Sequence, residues 1–197
     1  MRREGQEIMS PDIESDIASL QAQLHAASAE AGILASELTE EQAAWRPSPG
    51  SWSASECLDH LACTNRAYLA AFEAATCHAR ARNRLRRGPA VPGWFAAQFL
   101  RQLEPPVKPG RKIRAPKSIC PREGLPLAEA YAEFLSAQKL VHEFLEANAD
   151  LDLAGIRFVN PFIPGLRFSV ASGLHIVLAH ERRHLWQARQ VLRVAVA

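Results

Sequence analysis

Cysteine is scarce in this chain and poorly spaced for a scaffold. The four residues, Cys57, Cys63, Cys77 and Cys120, form no C-x-x-C pair and no ladder of short spacings. That excludes a disulfide-stapled secreted fold and a zinc ribbon, and leaves a reducing cytoplasm as the expected home. An excess of charge of one sign is also lacking: the formal net charge is +2 over 197 residues. A near-neutral chain gives no electrostatic reason to bind nucleic acid or an anionic membrane. No apolar run approaches the roughly 20 residues of a membrane-spanning helix, and Met1 to Ser10 lacks the apolar core of a signal peptide.

The chain has abundant apolar residues at helical spacing. Hydrophobic residues make up 48% of it, enough for one domain over 12–197 to fold without a structural metal, behind a tail at 1–11. Ile13, Ile17, Leu20, Leu24, Ala27, Ala31 and Leu34 recur at steps of three and four, which predicts a first helix from Asp12 to Ser36. Thr39 caps a short turn, stopped at Trp45-Arg46-Pro47-Ser48-Pro49-Gly50. Ser53-Ala54-Ser55-Glu56 is a capping box opening a second long helix that runs to about Thr76. A third is expected from Leu127 to Ala147, and a fourth from near Ser169 almost to the C-terminus. Gly93 to Leu103 fits a short helix. Glu104 to Pro126, with six prolines, reads as a long loop. No strand pattern is expected. The fold class is all-α: a four-helix bundle with a long Pro-rich crossover loop, its sites built between facing helices.

Chemistry concentrates in the histidines. His180 and His184 stand four apart, so both rings leave one face of the last helix, on a stripe shared with Val177 and Val191. Two imidazoles on an apolar stripe are costly unless something takes their lone pairs, and a metal ion does so. His180-Glu181-Arg182-Arg183-His184 is also an H-E-x-x-H string, the zinc-peptidase pattern. That reading needs a downstream ligand, yet no Asp, Glu, His or Cys follows His184. The third ligand must come from upstream, and His60, on the inner side of the second helix, is the choice; helix axes about 8 to 10 Å apart allow it. Three neutral imidazoles with open positions would lower the pKa of a water or thiol, the mark of a catalytic rather than a structural site.

The segments Trp45-Arg46-Pro47, Gly50-Ser51-Trp52-Ser53, Glu56 and His60-Leu61, followed by His180-Glu181-Arg182-Arg183-His184-Leu185-Trp186-Gln187, resemble the signatures of the DinB-like superfamily, including its YfiT-type metal-dependent hydrolases. The resemblance runs from Asp12 to Leu192. It implies one divalent ion, zinc or nickel, on His60, His180 and His184. It further implies hydrolase or thiol S-transferase chemistry on a small molecule, such as a low-molecular-weight thiol adduct, and a homodimer. The alternative is a metal- or ligand-binding protein of the same fold without turnover.

Three more residues are candidates for the reaction. Glu181 lies about 100° round the helix from His180 and is expected to be solvated or paired with an arginine. Glu56, one turn before His60, could orient that ring, though the capping box accounts for it. Gln187, three after His184, could contact a ligand or bridge helices. Cys57 and Cys63 flank His60 as small buried hydrophobes. Trp45 and Trp52 are expected to pin the turn before the second helix. The Arg80–Arg87 cluster reads as a solvated linker, and the loops around Lys117 and Asn160 as the rim of the opening.

Overall fold

The computed structural model describes residues 13–48, 50–106 and 115–195; the expected N-terminal tail and the middle of the Pro-rich loop lie outside them. The elements are α1 (Ile13–Glu37), α2 (Glu40–Ala44), α3 (Ala54–Ala81), α4 (Trp94–Leu103), a 3-10 turn at Lys117–Ile119, α5 (Leu127–Ala147), β1 (Arg157–Val159), β2 (Arg167–Ser169) and α6 (Val170–Ala195). Both predicted caps form. Thr39 and Gln42 satisfy each other's backbone at the start of α2, and Ser53 and Glu56 do so at the start of α3. Ser169 Oγ accepts from the Ser172 N–H at 3.1 Å, which satisfies a free donor in the first turn of α6.

The long helices α1, α3, α5 and α6 form the bundle, with α3 and α1 each packed against both α5 and α6. Its core divides into two apolar clusters. One joins Ile17–Leu24 of α1, Tyr68–Ala79 of α3, Val141–Leu145 of α5 and Val170–Ala179 of α6. The other joins Ala27–Leu34, Ala54–Leu61, Leu127–Phe134 and Leu185–Ala188 of the same four helices. The early residues of α1 and α6 thus meet the late residues of α3 and α5. Helices α1 and α6 run one way, α3 and α5 the other. Parallel neighbours α3 and α5 need a long connection, and residues 82–126 supply it.

Three expectations change. Strands β1 and β2 pair antiparallel, Phe158 opposite Phe168; at three residues each they are too short to show an alternating pattern, and what fixes them is the burial of those two rings. Helix α3 continues past Thr76 to Ala81, because Ala79 is buried and the intervening residues sustain a helix. The arginine cluster is only in part a solvated linker: Arg82 and Arg87 are exposed, while three others make contacts. Arg80 binds Asp150 and the Ala147 carbonyl, capping the end of α5, while Arg84 faces Asp152 and Arg86 pairs with Asp16 of α1. These contacts tie the crossover to both ends it passes.

Gly173 of α6 shows how tightly the first cluster closes. A Cβ there would lie 2.5 Å from Phe72 Cε1 and 2.7 Å from Phe158 Cε1, and both rings are buried. Overpacking of this kind costs about 1–3 kcal/mol, against roughly 1 kcal/mol of helix propensity gained from alanine. Gly173→Ala should therefore lower Tm by a few degrees, read by calorimetry or circular dichroism. An unchanged or raised Tm would mean that the two rings can move aside.

Candidate metal centre

His60 is carried on α3 at 2% exposure, and His184 on α6 at 8%. His180, one turn before His184, is half-buried as a residue, though its Nδ1 is buried. One ligand atom from each of the three lies within 4.8 Å of the others. The ring centroids are 5.0 Å apart for His60 and His180, 4.7 Å for His60 and His184, and 4.5 Å for His180 and His184. The three histidines singled out in the sequence meet at one point.

Hydrogen bonding orients the trio. His60 Nδ1 lies 2.7 Å from the Ile119 carbonyl. A carbonyl only accepts, so Nδ1 carries the proton and Nε2 presents a lone pair. That lone pair faces His180 Nε2 at 3.2 Å. Two nitrogens bound tetrahedrally at about 2.0–2.1 Å from one zinc stand roughly 3.3–3.4 Å apart, so the pair is already spaced for a shared ion. Meanwhile Nδ1 of His180 and of His184 are buried with no hydrogen-bond partner among the described residues. Three converging rings kept neutral, each with one lone pair to give, fit a cation that takes one from each.

Neutrality follows from burial. Desolvation pushes His180 down to about 3, aided by repulsion from His60 and Arg183. Desolvation also holds His184 well below the ordinary histidine range. His60 is lowered for the same reason, with the Ile119 carbonyl opposing part of the effect. Trp52 lies over the rings, 4.4 Å from His60 and 5.5 Å from His184 by centroid. It walls the centre rather than merely pinning a turn, while Trp45 is 39% exposed.

The candidate reaction residues take different places. Glu181 is neither solvated nor paired with an arginine: it is fully buried, accepting from Asn65 Nδ2 at 2.7 Å and Gln138 Nε2 at 3.4 Å. Burial raises its carboxyl to about 7 despite those two amides. The adjacent Arg182 turns outward to Glu104 and Gln23. Glu56 accepts from the Ser53 N–H and from Arg46, which together outweigh burial and hold its carboxyl below the usual range. The proton on His60 Nδ1 goes to Ile119, not to Glu56. Gln187 is half-buried beside His184 and slightly favours its protonated form. Cys57 is fully buried, with its thiol pushed up by desolvation, and Cys63 is half-buried.

Sequence reasoning passed over Asn65, Gln138, Asp59, Ile119 and Arg122. Gln138 carried a signal, a polar residue between Phe134 and Val141 on the buried stripe of α5. Asp59 and Asn65 carried the same signal on α3. Ile119 acts through its carbonyl, which no side-chain pattern reveals. Asn160 belongs elsewhere: it donates to Tyr68 Oη at 3.2 Å within the other apolar cluster, so its loop does not rim the centre.

No helix among the described residues is long and apolar enough to cross a membrane. No curated protein and no solved structure matches the chain. A family model, that of the DinB superfamily, matches residues 23–188. That span carries all four bundle helices in large part, the crossover and the three converging imidazoles, and the chain belongs to the DinB superfamily.

Proposed function

We propose that this protein is a metal-dependent enzyme, a hydrolase or thiol S-transferase, acting on a small molecule at the three-histidine centre. The observation that carries the reading is the convergence of three imidazoles, two of them buried and one half-buried. A divalent ion such as zinc or nickel would be held by His60, His180 and His184, and would supply the Lewis acidity that makes a thiol or water nucleophilic near neutral pH. The chain's own residues do the rest. Desolvation keeps the three rings neutral and able to ligate, the Ile119 carbonyl fixes the His60 tautomer, and the face of Trp52 excludes water from one side. Gln187, half-buried beside His184, would contact substrate. Glu181 and Glu56 support the site through the helices that carry it. The peptidase reading is opposed by the amides that hold the Glu181 carboxylate.

Four free cysteines favour a cytoplasmic setting. The homodimer implied by the family resemblance is carried over as part of the proposal; light scattering from the purified chain decides it.

Untagged protein should purify with, or take up, one zinc or nickel ion per chain by elemental analysis, and His60→Ala or His180→Ala should abolish the uptake. Loaded protein should then turn over thiol adducts, with dependence on added thiol separating transferase from hydrolase. Uptake that survives both substitutions removes the reading.

The lowered imidazoles also set a pH dependence. Below about 6.5 the unfolded chain protonates these histidines while the folded protein does not, so stability is present above that value and is lost as pH falls. Each buried ring contributes up to about 1.4 kcal/mol per pH unit in that window. Metal-free protein should melt lower at pH 5.5 than at pH 7.5, and His184→Gln should shrink the difference. Equal melting at both pH values in the wild type would contradict the burial.

A further inference from the structure

The carbonyl that fixes the His60 tautomer sits in a segment without regular helix or strand apart from one 3-10 turn, so something must hold that segment in place. Two contacts from α3 do. Asp59, next to His60 and fully buried, accepts from the Arg122 backbone N–H at 2.7 Å through one oxygen. Its other oxygen accepts from the Arg122 guanidinium, Nη2 at 2.6 Å and Nε at 3.2 Å. Both carboxylate oxygens are thus spent on a single residue three positions beyond Ile119. The Ile119 side chain is itself buried, and beyond Arg122 the Leu127 N–H donates to Glu40 at 2.7 Å.

From this geometry we infer that Asp59 and Arg122 are positioning residues for the metal centre: they clamp the segment so that the Ile119 carbonyl holds His60 Nε2 toward His180 and His184. The inference rests on the metal-centre reading proposed above, but its core claim concerns the orientation of one ring and is measurable without metal. A buried carboxylate with a charge-assisted partner is a firm anchor, because breaking it leaves the charge uncompensated. An exposed ion pair serving stability alone would not need the backbone N–H as a third contact. Groups behind a metal-ligating histidine typically change affinity about 10- to 100-fold when removed.

The test uses the full chain as wild type, Asp59→Ala, Arg122→Ala, Arg122→Lys and, as control, Arg80→Ala. Arg80 lies 20 residues along α3 from His60, about 30 Å away, and its ion pair with Asp150 is remote from the centre. Zinc affinity is read by competition with a chromophoric chelator. The tautomer of His60 is read in metal-free protein from long-range proton–nitrogen spectra of ¹⁵N-histidine-labelled chain. Wild type and Arg80→Ala should show a single Nδ1–H tautomer at His60. Asp59→Ala and Arg122→Ala should show mixed tautomers and bind zinc about 10- to 100-fold more weakly, with Arg122→Lys recovering part of the loss. Because Arg122 is half-exposed, its alanine variant should still fold should Asp59→Ala fail to. An Nδ1–H tautomer retained in Arg122→Ala, or zinc affinity within twofold of wild type, overturns the inference. Wild type that binds no zinc overturns the metal reading, while the tautomer spectra still decide whether the clamp orients His60.

Discussion

The carboxylate of Glu181 lies fully buried where the four long helices meet, held by the side-chain amides of Asn65 on α3 and Gln138 on α5. Gln138 also donates to the Leu24 carbonyl of α1 at 3.3 Å, so one polar layer links all four. A buried carboxylate is costly unless its hydrogen bonds are made. Helix α6 therefore has one rotation and one register in which that cost is met. His180 and His184 flank Glu181 on the same helix, and this register is the one that brings them against His60. A slip of one residue would orphan the carboxylate and scatter the imidazoles together. The buried carboxyl of Glu181 thus aligns the helix that carries two of the three imidazoles.

The two apolar clusters lie on either side of this layer. One is rich in aromatic rings, with Phe72, Phe158 and Tyr68 meeting edge to face. The other is mainly aliphatic, around Leu34, Leu58, Leu61 and Leu185. Close packing above and below leaves little freedom for the helices to shift at the level of the histidines. Polar atoms are thus concentrated where the backbone is most constrained, which is the condition for three imidazoles to converge in a fixed arrangement.

Much of this was legible in the sequence because its signals are local. The spacing of Ile17, Leu20, Leu24 and their successors and the capping box at Ser53 and Glu56 each act within a few residues, and the four long helices formed near their expected bounds apart from the later end of α3. The i, i+4 pair of His180 and His184 is local as well, and the missing downstream ligand pointed to His60. What was not legible depends on neighbours distant in sequence. Glu181 was assigned by its angle from His180, which places it on a flank; whether a flank is wet or dry depends on Asn65 and Gln138, 116 and 43 residues away. The Arg80–Arg87 cluster looked solvated because its acceptors, Asp16, Ala147 and Asp150, come from other elements. A three-residue strand has no periodicity of its own to read.

The crossover connects the fold to its site more directly than its irregularity suggests. Because α3 and α5 run in parallel side by side, the chain must travel the length of the bundle between them, and a segment that long has slack to lay across a helix end. Prolines at 116, 121 and 126 limit that slack to a few backbone conformations. Once Asp59 takes hold of Arg122, the carbonyl of Ile119 falls on the ring of His60. Topology demands the loop, and the loop supplies the acceptor that orients the His60 ring through its Nδ1.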